Sequence, residues 1–262
     1  MRLNSTQKTG GGNIKKIAVF NNKGGVGKST IAVQISHGLA KLDYKVLLID
    51  LDSQNNSALY LGIDKEDFNN TFFHLIDYRH PEPLENCIIK ARKNLDLLPN
   101  SNFENIVSDF HRERQIDTIM EKYLYELEEM KYDYVIFDCS PKQSIVNDAI
   151  LFYVNNLIVP VLLDGASVQG VSDVIDYIMD LELNISIIKM IVPNQYDPRN
   201  NEDKENLKAL QEIFENENKV SKPIRKRVKI KEACGRGKTI FEYDKKAQSQ
   251  FEEVLERVMD IG

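Results

Sequence analysis

The sequence predicts an α/β fold, a doubly wound and mostly parallel sheet with helices on both faces. Three observations carry this. Short apolar runs alternate with longer amphipathic stretches, as when parallel strands return through crossover helices. Several apolar runs are continuous, as strands buried on both faces must be. The first strand opens onto a glycine-rich turn, Lys23-Gly24-Gly25-Val26-Gly27-Lys28-Ser29-Thr30, that leads into a helix.

The elements follow in order. Residues 1–13 are polar and glycine-rich and are expected to form a mobile tail; residues 14–262 are read as a single domain. Strands are expected at 16–21, 45–50, 95–98, 133–138, 156–162 and 186–192, each a short run rich in Val, Ile, Leu or Phe. Helices are expected at 28–41, 109–130, 144–154, 168–181, 203–216 and 245–259. In segment 109–130, Ile116, Ile119, Met120, Tyr123, Leu124 and Leu127 fall near a 3.6-residue period. Segment 63–94 is the hardest to assign. No linker rich in Pro, Gly or Ser divides the chain, and no internal repeat is seen.

Composition narrows the function classes. There is no apolar run of transmembrane length and no signal-peptide core, which points to a cytoplasmic protein. Cys87, Cys139 and Cys234 form no CxxC pair, so reduced thiols are expected and iron–sulfur carriage is disfavoured. His37, His74, His80 and His111 show no metal-ligand spacing. The net charge is −6, but its distribution matters more than its sum.

A strand, a glycine-rich turn and a helix together present backbone N–H groups to an anion. The helix dipole and the Lys28 charge add to that attraction. Ser29 stands where a hydroxyl would ligate Mg²⁺ between phosphate oxygens. The usual P-loop glycine is replaced by Asn22, and a second lysine, Lys23, follows it. Lys28 can curl back over its own loop, whereas Lys23, at the start of the turn, points away.

Carboxylates close two of the strands. Val46-Leu47-Leu48-Ile49 runs into Asp50-Leu51-Asp52, where alternation sets both acids on one side. In a doubly wound sheet that is the ligand-binding edge. A carboxylate beside a γ-phosphate can hold the attacking water. Tyr134-Val135-Ile136-Phe137-Asp138 has the Walker B form, whose acid holds a Mg²⁺ shell.

Lys23–Thr30 resembles the deviant Walker A box of the ParA/MinD family of P-loop ATPases. The stretch DLDSQNNSA from Asp50 resembles the family's DLDPQGNAT, with Ser53 in place of the proline. The resemblance implies ATP and Mg²⁺ as ligands, with nucleotide held by Lys23, Gly24, Gly25, Val26, Gly27, Lys28, Ser29 and Thr30. It implies a homodimer formed with ATP, in which Lys23 reaches the nucleotide of the facing subunit. Lys23, Lys28 and Asp52 are then the catalytic residues. Asp52 positions water, while Asp50 joins Ser29 and Asp138 around Mg²⁺.

Where the family continues CPPSLG, this chain has Cys139-Ser140-Pro141-Lys142-Gln143-Ser144, so no role passes to Lys142 or Gln143. Ile191–Arg199 resembles the family's segment around D-x-R-x-N. There Asn194 ends a strand over the binding edge, either reading the adenine edge or sitting in an ordinary turn.

Six of the ten residues from Lys222 to Lys231 are basic: Lys222, Arg225, Lys226, Arg227, Lys229 and Lys231. Read as an extended segment, alternation would put Arg225, Arg227, Lys229 and Lys231 on one edge, suited to a phosphate backbone without base readout. The stretch coincides with the family's NVRLSEAP segment, where basic residues bind double-stranded DNA non-specifically in the ATP dimer. Cys234 stands at the family's proline, near the expected adenine pocket.

The resemblance thus favours a nucleoid-associated DNA-partitioning ATPase of the small ParA type, whose slow hydrolysis is stimulated by a ParB-like centromere-binding protein. The tail is read as too short for a helix-turn-helix domain. A MinD-like membrane-associated ATPase is the alternative. The final helix argues against it and against any membrane partner, because Glu252, Glu253, Glu256 and Asp260 surround its apolar face. A small-molecule kinase or an autophosphorylating tyrosine kinase with the same loop is a third reading, the latter wanting a tyrosine-rich tail that this sequence does not show; a metabolic ligase with the same loop would leave the basic stretch idle.

Overall fold

A computed structural model describes residues 13–261. The expected tail over 1–13 lies outside the described residues except for its last one. Seven strands form one sheet: β1 (Lys15–Val19), β2 (Val46–Asp50), β3 (Ile89–Arg92), β4 (Leu95–Leu98), β5 (Tyr134–Asp138), β6 (Asn156–Leu162) and β7 (Ile188–Asn194). Their order is β3-β4-β2-β5-β1-β6-β7. Every pairing is parallel except β3 with β4.

The two-residue period of the strands sorts the core into two layers. Ala18, Phe20, Leu47, Ile49, Val135 and Phe137 face one layer, completed by the helices Ile145–Tyr153 and Ser167–Asp180. Ile17, Val19, Val46, Leu48 and Ile136 face the other, against the helices Lys28–Lys41 and Glu252–Asp260. Continuous apolar strands are what two covered faces require. Val254, Leu255 and Val258 of the last helix are fully buried, so its apolar face packs on the core.

Three expectations need correction. The antiparallel edge strand β3 falls in segment 63–94; its alternating Lys90, exposed, and Arg92, partly exposed, hide the strand signal. The single helix expected over 109–130 is a series of short turns, Ile116–Thr118, Ile119–Tyr123 and Leu127–Met130, preceded by a helix at Phe103–Phe110. Ile119, Met120, Leu124 and Leu127 are nonetheless buried, so the periodicity marks the buried face without guaranteeing continuity.

The third correction concerns the basic stretch. Residues 220–226 run beside β7, with Ser221 N–H donating to Ile191 O at 2.9 Å and Lys226 N–H to Tyr196 O at 3.0 Å. Val228–Gly235, however, is a helix. Its Ile230, Ala233 and Cys234 sit at helical spacing; Ile230 and Ala233 pack on the core and Cys234 is buried. Arg225 and Arg227 are therefore on extended chain, Lys229 and Lys231 are on a helix, and the four do not share one edge.

Candidate nucleotide site

The carboxyl ends of β1, β2 and β5 converge, and the loops leaving them build the site. After β1 the chain turns through Gly25 (φ +76°) and Gly27 (φ +97°) into the helix Lys28–Lys41. That left-handed backbone favours glycine. A Cβ on Gly27 would in addition collide with Asn194 Nδ2. Lys28 is buried and folds back over its loop, its Nζ donating to Asn21 O and Lys23 O at 3.1 Å each. Burial lowers the Lys28 pKa, against the pull of Asp138 and Asp52.

Lys23 goes elsewhere. Its backbone N–H donates to Asn21 Oδ1 at 2.8 Å, and its ammonium reaches Asp164 Oδ2 beyond the end of β6 at 2.5 Å. The loop thus has one lysine folded over it and one directed outward, as the sequence suggests.

Asp50 and Asp138 are register partners across β2 and β5, and both are fully buried. Asp50 Oδ1 accepts from Asp52 N–H at 3.1 Å, and its Oδ2 accepts from Ser57 N–H at 3.0 Å. Ser57 Oγ donates to Asp138 Oδ2 at 2.8 Å, and the Ser29 hydroxyl lies beside the same carboxyl. Burial pushes Asp138 up to about 7, with Asp52 adding to the rise. Burial and then the neighbouring Asp138 charge hold Asp50 well above the usual carboxylate range.

Asp138 Oδ1 is buried without a hydrogen-bond partner among the described residues. An orphaned carboxylate oxygen beside a phosphate-loop serine fits a Mg²⁺ shell, which would neutralise the two adjacent negative charges that destabilise this pair. Asp52 is buried at the start of the next loop, its Oδ1 accepting from Gln54 N–H at 3.0 Å.

Asn194 braces the phosphate loop. Its Nδ2 donates to Val26 O at 2.8 Å, and its Oδ1 accepts from Gln195 N–H at 2.9 Å. Thr30 touches both Tyr60 and Cys234, which places the basic helix against the start of the loop's own helix. The C-terminal end of that basic helix is fixed again where Gly237 packs on Gly62; a Cβ on Gly237 would collide with the Gly62 Cα.

Of the expected DNA contacts, Lys222, Arg225, Lys229 and Lys231 are exposed and Arg227 is partly buried. Lys229 pairs with Glu232 at 2.8 Å. Ser57, Asn21 and Asp164 were not singled out from sequence. Ser57 carried a signal, as the hydroxyl at the start of the short helix Asn56–Tyr60 that follows the β2 acids.

A family profile described as an AAA domain matches residues 14–190. The chain is 32% identical over 235 residues to the cell division protein PomZ of Myxococcus xanthus, covering 86% of this chain and 71% of PomZ. The chain belongs to the ParA/MinD family of P-loop ATPases.

Another member of this family, the sporulation initiation inhibitor protein Soj of Bacillus subtilis, is 28% identical over 246 residues, 89% of this chain and 93% of Soj. A ParA-type structure from Borrelia burgdorferi, named for plasmid partition and holding AMPPNP, superposes with a TM-score of 0.77. Its identity is 25%, covering 95% of this chain and 99% of that one. Solved ParA-type folds thus carry nucleotide, and one neighbour of the same fold carries ADP with magnesium. Among the described residues no helix is long and apolar enough to cross a membrane.

Proposed function

We propose that this ParA-type chain partitions a DNA-borne cargo, forming an ATP-bound sandwich dimer that holds double-stranded DNA non-specifically. The observation that carries the reading is the division of labour between the two lysines. Lys28 already covers its own loop, so the outward Lys23 is free to serve a facing subunit's nucleotide once it leaves Asp164.

The residues have distinct tasks. Lys28, Ser29, Thr30 and the loop N–H groups from Gly24 to Gly27 bind the phosphates. Ser29, Asp50 and Asp138 would hold Mg²⁺, which supplies charge neutralisation on the transferred phosphoryl group. Asp52 accepts a proton from, or orients, the attacking water. Asn194 keeps one amide hydrogen for the adenine edge while bracing the loop.

Lys222, Arg225, Arg227, Lys229 and Lys231 supply a cationic surface made of two pieces, extended chain and helix. Two copies in a dimer would double the phosphate contacts, and affinity rises steeply with that count. A ParB-like centromere-binding partner would stimulate slow hydrolysis and release the dimer from the nucleoid. PomZ, Soj and the Borrelia protein are named for cell division, sporulation control and plasmid partition, which supports a spatial-organisation role.

The test is DNA binding with ATP, with ADP and without nucleotide, alongside liposome sedimentation. Binding to DNA only with ATP, and no sedimentation, is the expected result. Liposome binding with ATP and no DNA binding would reject the proposal.

A further inference from the structure

The guanidinium of Arg92, on the edge strand β3, makes five hydrogen bonds, as many as it has N–H donors. Two go to the Glu242 carboxylate, from Nε to Oε1 at 2.7 Å and from Nη2 to Oε2 at 3.3 Å. Nη1 donates to Ala91 O at 2.7 Å and to Leu61 O at 3.0 Å. Nη2 also donates to Gly237 O at 3.1 Å. Leu61 ends the helix Asn56–Tyr60, whose Ser57 donates to both buried acids of the nucleotide site. Gly237 lies just beyond the cationic helix Val228–Gly235. One side chain therefore ties the end of the cationic helix to the element that leaves the nucleotide site.

Glu242 extends the tie. Its Oε2 accepts from Thr239 N–H at 3.0 Å and so caps the short turn Ile240–Tyr243. The buried Gln34 Oε1 accepts from Ile240 N–H at 2.9 Å, so the turn is anchored to the core as well as to the sheet edge. The next side chain, Tyr243, engages the cationic helix. Its ring centroid is 5.6 Å from Lys229 Nζ and 5.5 Å from Arg236 Cζ. Its hydroxyl donates to Glu232 Oε2 at 3.0 Å.

Such a network suits positioning. A guanidinium with every donor engaged has none to offer a phosphate, and its planar fork holds several acceptors in one fixed arrangement. We propose that Arg92 is a positioning residue for the DNA-binding surface. It fixes the end of the cationic helix and, through Glu242 and Tyr243, the stance of Lys229 and Arg236, without touching DNA itself. This rests on the partitioning reading and adds to it a residue far outside the basic stretch.

Equilibrium DNA binding of the full chain with ATP, across a salt series, tests this on Arg92→Met, Arg92→Lys and Glu242→Ala. Arg92→Met should keep the ATP-dependent dimer in light scattering. It should weaken DNA binding about fivefold or more at about 0.15 M salt, the scale of one lost phosphate contact, and lower the salt slope by roughly 0.9 or more. Arg92→Lys keeps the charge and loses the fork, so it should behave like Arg92→Met. Affinity equal to that of the unmodified chain in Arg92→Lys would make Arg92 a simple charge and overturn the proposal.

Glu242→Ala separates positioning from electrostatics by sign, and it serves if Arg92→Met does not fold. Removing an acid near the cations should tighten DNA binding by charge alone, whereas lost positioning should weaken it. Tighter or unchanged binding in Glu242→Ala overturns the proposal, as does an unchanged salt slope in folded Arg92→Met or loss of the dimer in both. An unmodified chain that binds no DNA with ATP overturns the partitioning reading and this inference with it. Contrary results in the variants alone leave that reading standing.

Discussion

The Lys23 ammonium lies 2.5 Å from Asp164 Oδ2, so a carboxylate beyond β6, and not the phosphate loop, holds the first lysine of the deviant box. Both side chains are nearly half exposed, at 41% and 46%. An ion pair so open to water contributes at most about 1 kcal/mol. It can therefore be exchanged for a triphosphate at little cost.

Lys23→Ala should keep nucleotide binding, because Lys28 remains over the loop, and should lose the ATP-dependent dimer. Light scattering with ATP reads this directly, and an unchanged dimer would remove Lys23 from the interface. Asp164→Asn should change unfolding stability by less than about 1 kcal/mol in denaturant titrations.

Asp52→Ala should lower the ATP turnover rate by about a hundredfold or more, the scale of a lost general base or water-orienting carboxylate. Its ATP dimer should persist for longer than that of the unmodified protein. Turnover assays and sizing runs with ATP check the two halves separately. A monomer in those runs would contradict the role.

The Asp50–Asp138 pair makes the ligand-free protein sensitive to pH. The Asp138 carboxyl is raised from 3.8 to about 7, so between those values the folded state keeps a proton that the unfolded chain has released. Stability must then fall as pH rises through that window and level off above it. Asp138→Asn should flatten the profile, by on the order of a few kcal/mol between pH 5 and pH 8. Denaturant midpoints at the two pH values measure it. Mg²⁺–nucleotide affinity should run the other way and strengthen toward pH 8, because the ligating carboxylate must be charged.

Neutralising Lys222, Arg225 and Lys231 together should weaken DNA binding equally for all sequences and reduce the salt slope by roughly 0.9 per lost phosphate contact. Lys229→Ala should matter less, because Glu232 already engages that ammonium. Equilibrium binding across a salt series decides both. An unaltered slope in the triple variant would move the DNA surface elsewhere.

The sheet was legible wherever burial on both faces left continuous apolar runs, and Asp50 and Asp138 were legible as the acids that end them. β3 was not, because an edge strand can carry Lys90 and Arg92 without cost to the core. The helix at Val228–Gly235 was masked by its cations. Alternating Arg225, Arg227, Lys229 and Lys231 read as a strand, while the inward Ile230, Ala233 and Cys234 held the true period. Asp164 gave no signal at all, since its partner Lys23 is 141 positions away and only the fold brings them together.

Gly237 resting on Gly62 leaves no gap for a side chain between two stretches of main chain, one downstream of the β2 acids and one at the foot of the cationic helix. A methyl added at Gly237 would have to part these two stretches, so the spacing between the phosphate-site side of the molecule and its cationic helix is set at this contact by main chain alone.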